Sequence, residues 1–193
     1  MPTIAVIPVK SFSGGKLRLS PVIDDGQRMA LGQALATHVA ETAANCDLLP
    51  LIVTSDSEVA TWAATAGFPS QPDPGTGLNG AAASGAHWAK EAASRWLIVH
   101  ADLPLLTDDD LFAVSSLDGN VIAPSSDGGT SVLSAVETIE FAYGTASFHR
   151  HLPRLRSPTV VARPGLLHDV DSPADLESAL HHPNGSWLGE FLP

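Results

Sequence analysis

Residues 3–19 read Thr3-Ile4-Ala5-Val6-Ile7-Pro8-Val9-Lys10-Ser11-Phe12-Ser13-Gly14-Gly15-Lys16-Leu17-Arg18-Leu19. An apolar run without polar alternation is a strand covered on both faces, the kind found in a parallel sheet flanked by helices. It delivers the chain to a glycine-bearing loop that carries Lys10, Lys16 and Arg18. The whole chain of 193 residues has 10 Lys+Arg against 21 Asp+Glu, and two of its three lysines stand in this loop. Scarce cations gathered beside a strand end point to a bound anion, and nucleotide phosphate is the leading candidate.

Outward from this stretch the same pattern repeats. Asp24-Asp25 caps a helix reaching about Cys46, with Met29, Leu31, Leu35, Val39 and Ala43 near helical spacing. An apolar strand over 48–53 ends at Asp56. Ser57 caps a helix that Gly67 stops, and a short strand lies around 68–71. Residues 75–80 open an alanine-rich helix to about Glu91. Residues 96–100 form the next strand, ending at Ala101-Asp102-Leu103-Pro104, and Thr107 with three following aspartates starts another helix. Residues 121–123 and 131–136 read as strands, 145–156 as a helix, and 159–162 and 166–170 as extended. Ser172-Pro173 starts a last helix to about His182.

Strand–helix alternation predicts a three-layer α/β/α, Rossmann-like fold with a mostly parallel sheet. We expect one domain over 1–182 and an irregular tail over 183–193. Trp187, Leu188, Phe191 and Leu192 of that tail could pack on the same chain or on a second copy, as a homodimer. Ligands of such sheets bind beyond the carboxyl ends of the strands. Those ends carry Lys10, Asp56, Asp102, Asp169 and Asp171.

Composition narrows the function. The net charge is −11, which argues against nucleic acid and anionic membranes as partners. The lone Cys46 excludes an intramolecular disulfide and fits a reducing, cytoplasmic setting. No signal peptide or membrane-spanning run is read. An acidic protein that binds anions must reverse the field locally. Carboxylates from two strand ends, Asp102 with Asp169 or Asp171, suit Mg2+ that also takes nucleotide phosphates.

The first loop is not a Walker A motif, because Leu17 stands where the magnesium-binding hydroxyl would be. Gly75-Thr76-Gly77-Leu78-Asn79-Gly80 formally matches G-x-G-x-x-G. Pro72 and Pro74 interrupt the tight strand-to-helix turn that a dinucleotide fingerprint needs, so Gly77, Leu78 and Asn79 are read as contacts to a base or ribose. A dinucleotide-binding oxidoreductase domain and a noncatalytic nucleotide sensor remain the alternatives from other classes. Residues 144–156 hold a second concentration of positive charge around Gly144, Ser147, His149, Arg150, His151, Arg154 and Arg156. No histidine–cysteine set has zinc spacing, and no nucleophile elbow is present.

Pro8-Val9-Lys10, Lys16-Leu17-Arg18-Leu19-Ser20, Gly77-Leu78-Asn79, Ala101-Asp102-Leu103-Pro104 and residues 169–176 (DVDSPADL) occur in that order. With these blocks the chain resembles the guanylyltransferases that make the phospholactyl or phosphoenolpyruvyl precursor of a deazaflavin coenzyme. Those enzymes share a nucleotidyltransferase fold with the molybdenum-cofactor guanylyltransferases. The resemblance implies GMP transfer from GTP to the phosphate of a small phosphorylated carboxylic acid, with release of pyrophosphate. Carried over by position, Lys10, Gly15, Lys16 and Arg18 would meet the triphosphate, and Gly77, Leu78 and Asn79 the nucleoside. Asp102 and Asp169, with Asp171 adjacent, would hold Mg2+. Thr130, Gly144 and Ser147 would hold the acid. Lys16, Arg18 and Asp102 would be the catalytic set. The family's proline after Lys10 is Ser11 here. A guanylyl- or cytidylyltransferase with another acceptor is the runner-up within the class.

Overall fold

The computed structural model describes residues 3–92 and 94–192. Seven strands form one sheet: β1 (Thr3–Pro8), β2 (Leu49–Thr54), β3 (Ser70–Pro72), β4 (Arg95–Val99), β5 (Val121–Pro124), β6 (Thr130–Ser134) and β7 (Thr159–Val160). Their order is β3-β2-β1-β4-β6-β5-β7. All neighbours pair in parallel except β6, which runs antiparallel to both β4 and β5.

Among the described residues seven α-helices accompany the strands: α1 (Asp25–Asn45), α2 (Ser57–Ala66), α3 (Leu78–Glu91), α4 (Asp108–Ser115), α5 (Ser147–His151), α6 (Pro164–Leu167) and α7 (Pro173–Leu180). Capping boxes start three of them: Asp24 with Gln27, Thr107 with Asp110, and Ser172 with Asp175. Asp56, rather than Ser57, caps α2, its carboxylate accepting from Glu58 N and Val59 N. That use explains why Asp56 does not join the other strand-end acids.

The strands are apolar throughout because both faces are covered. Ala5, Ile7, Ile52, Leu97 and Val99 pack toward α1, α2 and α4. The alternate residues Ile4, Val6, Leu51, Val53 and Ile98 pack toward α3 and residues 141–155. Gly85 lets α3 lie directly on the sheet: a Cβ there would run into the Val6 side chain. Gly85→Val is therefore expected to lower stability by about 1–3 kcal/mol through overpacking, read as a fall in Tm. An unchanged Tm would mean that the helix can lift at no cost.

Three stretches differ from the sequence expectation. The 145–156 helix stops after α5 and continues as a 3-10 turn over Leu152–Arg154, because Pro153 cannot extend it. Residues 166–170 are not a strand: α6 takes the first two, and Asp169–Asp171 is irregular chain before α7. The tail is ordered as a 3-10 helix, Pro183–Phe191. It packs on its own chain, where Leu188 is fully buried among Leu31, Leu35, Leu105 and Leu176, and Trp187 donates to the Pro104 carbonyl. Met1, Pro2 and Pro193, the ends of the expected domain and tail, lie outside the described residues. No helix among the described residues is long and apolar enough to cross a membrane.

Candidate active site

Strand order reverses direction between β1 and β4, which opens a crevice at their carboxyl ends. Because β6 is antiparallel, its first residue, Thr130, lies at that same edge of the sheet. A cavity of about 400 Å3 occupies the crevice. Its wall includes Lys10, Gly15, Lys16, Leu78, Asp102, Thr130, Gly144, Ser147, Asp169 and Asp171. Residues more than a hundred positions apart thus converge beside the glycine-bearing loop that follows β1. A smaller cavity of about 310 Å3 adjoins it, shares Pro8, Val9, Lys10 and Leu78, and adds Asp73, Gly75 and Gly77.

Lys16 is the pivot. It sits in the left-handed region at φ 52, an uncommon conformation for a residue with a Cβ. The buried Arg28 guanidinium steadies the loop by donating to the Gly15 carbonyl at 3.0 Å. The Lys16 ammonium, 12% exposed, bridges Asp102 at 2.5 Å and Asp171 at 3.0 Å. Burial disfavours its charge, but Asp102 and Asp171 outweigh that and raise its pKa above the usual lysine value. Burial likewise works against the Asp102 charge, and the Lys16 ammonium still holds that carboxyl below the usual range. Val170 N–H donates to the Asp102 carbonyl at 3.2 Å, which ties the Asp169–Asp171 segment to the end of β4.

Among the described residues no cation pairs with Asp169. Burial first, then the charges of Asp102, Asp127 and Asp171, push its carboxyl up to about 6. The crevice therefore carries more negative charge than Lys16 neutralises. Asp102, Asp169 and Asp171 offer it carboxylate oxygens, the donors a hard divalent cation prefers, and magnesium asks for only one or two carboxylates beside water and phosphate. Among the described residues no group of three metal-binding side chains converges.

On the opposite wall Thr130, Ser147 and His151 are buried together. Ser147 Oγ donates to Thr130 Oγ1 at 3.2 Å, and His151 Nδ1 lies 3.0 Å from the same oxygen. Gly144, at φ 114, turns the chain into this wall with a backbone that favours glycine. His151 does not belong to the cationic face. Burial first, then Arg154 and Arg150, lower its pKa to about 4. With its folded pKa below the unfolded one, its neutral form stabilises the fold above about pH 6.5. That contribution is lost as pH falls toward 4. Melting curves between these limits should show a shallower loss of Tm in His151→Gln than in wild type; parallel curves would remove His151 from the acid response.

Some expected contacts lie elsewhere. Arg18 is exposed on the turn Leu17–Leu19 and is not part of either cavity wall. Asn79 Oδ1 accepts from Tyr143 N at 2.6 Å, so it braces from α3 the chain that leads into Gly144. Arg154 and Arg156 face Glu140 and Glu137. Conversely, His100, Ser125, Asp127 and Tyr143 line the main cavity without having stood out in the sequence. His100 Nε2 and the Tyr143 hydroxyl are buried with no partner among the described residues. Only Asp127 gave a signal, the Asp-Gly-Gly turn before β6.

A family model described as guanylyl transferase CofC like matches residues 3–193. The chain belongs to this family. It is 38% identical to a phosphoenolpyruvate guanylyltransferase of Sphaerobacter thermophilus, over 94% of each chain. It is 29% identical to a 2-phospho-L-lactate guanylyltransferase of Methanothermobacter thermautotrophicus, covering all of this chain and 90% of that one. Membership makes it a nucleotidyltransferase and bears out the resemblance drawn from the Lys16, Asp102 and Asp169 blocks. Among solved structures, a Desulfovibrio desulfuricans protein of the nucleotide-diphospho-sugar transferase class superposes with TM-score 0.75 at 16% identity, covering 98% of this chain and 95% of that one. A Methanothermobacter thermautotrophicus nucleotidyl transferase gives TM-score 0.60 at 13% identity, with 92% and 95% covered. At such identities the likeness speaks for the fold alone, and it agrees with the three-layer α/β expectation.

Proposed function

We propose that the chain transfers GMP from GTP to the phosphate of phosphoenolpyruvate or 2-phospho-L-lactate, in the cytoplasm, for deazaflavin coenzyme synthesis. The observation that carries this reading is the juxtaposition of Lys16, clamped between Asp102 and Asp171, with the Thr130–Ser147 wall across one crevice.

An oxygen of the acceptor phosphate attacks the α-phosphorus of GTP, forming a new P–O bond. The bond from that phosphorus to the oxygen bridging to the β-phosphate breaks, and its electron pair leaves with pyrophosphate. A phosphate monoester is already anionic near neutral pH, so no general base is required. The chain's task is to hold two mutually repelling anions in line and to stabilise the departing charge. Lys10 and Lys16 meet the triphosphate, with Gly15 giving backbone approach and Arg18 adding charge from the solvent side. Gly77 and Leu78 border the smaller cavity, where the nucleoside fits, and Asn79 supports the opposite wall by accepting from Tyr143 N. Thr130, Gly144 and Ser147 receive the acid. Asp102 and Asp169, with Asp171 beside them, would hold Mg2+, which when bound supplies neutralising charge to the phosphates.

The test incubates the protein with GTP, magnesium and each acid in turn, including 3-phosphoglycerate, and follows pyrophosphate. Release that requires an acid supports the reading. No release with any acid, together with NAD alone protecting against thermal unfolding, would return the oxidoreductase alternative.

A further inference from the structure

His151 is fully buried behind the acceptor wall, and its hydrogen bonds determine where its proton lies. The backbone N–H of Ala142 donates to His151 Nε2 at 2.8 Å. A backbone amide can only donate, so Nε2 presents a lone pair, and a neutral imidazole then carries its hydrogen on Nδ1. That Nδ1–H has one partner, Thr130 Oγ1, at 3.0 Å. Ser147 Oγ donates to the same oxygen at 3.2 Å. A hydroxyl oxygen has two lone pairs and one hydrogen. Both lone pairs of Thr130 are occupied, and its own hydrogen has no acceptor among the described residues.

We propose that His151 is a positioning residue for the transfer: by donating from Nδ1 to Thr130 Oγ1, it commits the Thr130 hydroxyl to donate toward the cavity, where an anionic oxygen of the phosphorylated acid accepts. A threonine left free to rotate would accept as readily as donate, and an incoming oxyanion would first have to reorient it. The proposal rests on the guanylyl-transfer reading for the identity of the acid.

Two amides separate the two sides of the imidazole. In His151→Asn the side-chain NH2 reaches the place of Nδ1 and can still donate to Thr130. In His151→Gln the amide reaches the place of Nε2, where its oxygen can accept from Ala142 while Thr130 loses the Nδ1 donor and keeps only Ser147. Steady-state kinetics should show the acceptor KM raised about tenfold in His151→Gln, the effect of weakening one hydrogen bond to a charged group. The KM for GTP should stay near wild type in both variants, and the acceptor KM in His151→Asn should stay close to wild type. Equal rises in both variants, or a GTP KM that rises as much as the acceptor KM, would overturn the proposal. Nitrogen-15 NMR of wild-type His151 is the arm that needs no substrate. A hydrogen on Nδ1 is expected, and one on Nε2 overturns the proposal even if no acid is turned over. Absence of turnover by wild type, with the Nδ1 tautomer present, would instead count against the guanylyl-transfer reading.

Discussion

Asp102→Asn is expected to lower kcat/KM for pyrophosphate release by about 10²–10³-fold, or roughly 3–4 kcal/mol of transition-state stabilisation. The substitution preserves shape at the end of β4 and removes one negative charge and one strong oxygen donor. Asp102 is the better of the two Lys16 partners, at 2.5 Å against 3.0 Å for Asp171. It is also the carboxylate that the Lys16 charge keeps ionised despite burial. An amide in its place accepts weakly from an ammonium and binds a hard divalent cation poorly. The loss should fall on kcat and on the magnesium dependence of the rate, and the fold should survive, since the β4 core residues Leu97, Ile98 and Val99 are untouched. Titrating magnesium into the assay checks this. Turnover within a few-fold of wild type, at unchanged magnesium demand, would detach Asp102 from the metal and from the transfer step.

The parts of this site legible in the sequence are those written as local contrast. An unbroken apolar strand followed by glycines and clustered lysines announces β1 and its loop, and an aspartate directly after an apolar run announces Asp102. The reversal of β6 leaves no such mark. A buried strand has the same composition in either direction, so Thr130 was reached only through the family's motif. Pairing gives the reason it matters: antiparallel contacts with β4 and β5 bring the amino end of β6 to the edge where its neighbours end. His151 differs from its sequence expectation for a related cause. Its neighbours Arg150 and Arg154 are exposed and cationic, and one-dimensional proximity groups it with them. The chain turns it inward, where it is neutral and fully buried. His100 and Tyr143 leave no mark in the sequence, because a buried polar atom without a partner among the described residues is a property of the folded chain. Asp169 and Asp171 were legible as a pair but not as irregular chain, since proline at position 164 starts a short helix where apolar residues had suggested a strand.

Lys16→Met should produce two effects of opposite direction in the same protein. Activity should fall by about 10²-fold or more, because the triphosphate loses a charged donor at the point where pyrophosphate departs. The response to divalent cations should strengthen. The Lys16 ammonium lies between Asp102 and Asp171, in a crevice that already pushes the Asp169 carboxyl up to about 6. Removing it leaves the acids facing one another, so the variant without metal should melt lower than wild type. Magnesium should then raise its Tm by more than it raises that of wild type, since nothing competes for the carboxylates. Methionine keeps a Cβ at φ 52, so both proteins bear the same backbone strain and it cancels from the comparison. Lys16→Arg should not restore the rate, because a planar guanidinium cannot sit as a point charge between two carboxylates. Thermal melts with and without magnesium, set beside pyrophosphate kinetics, decide the matter. A magnesium shift equal to that of wild type would show that Lys16 and the cation occupy separate places, and unchanged kinetics would take the triphosphate away from this loop.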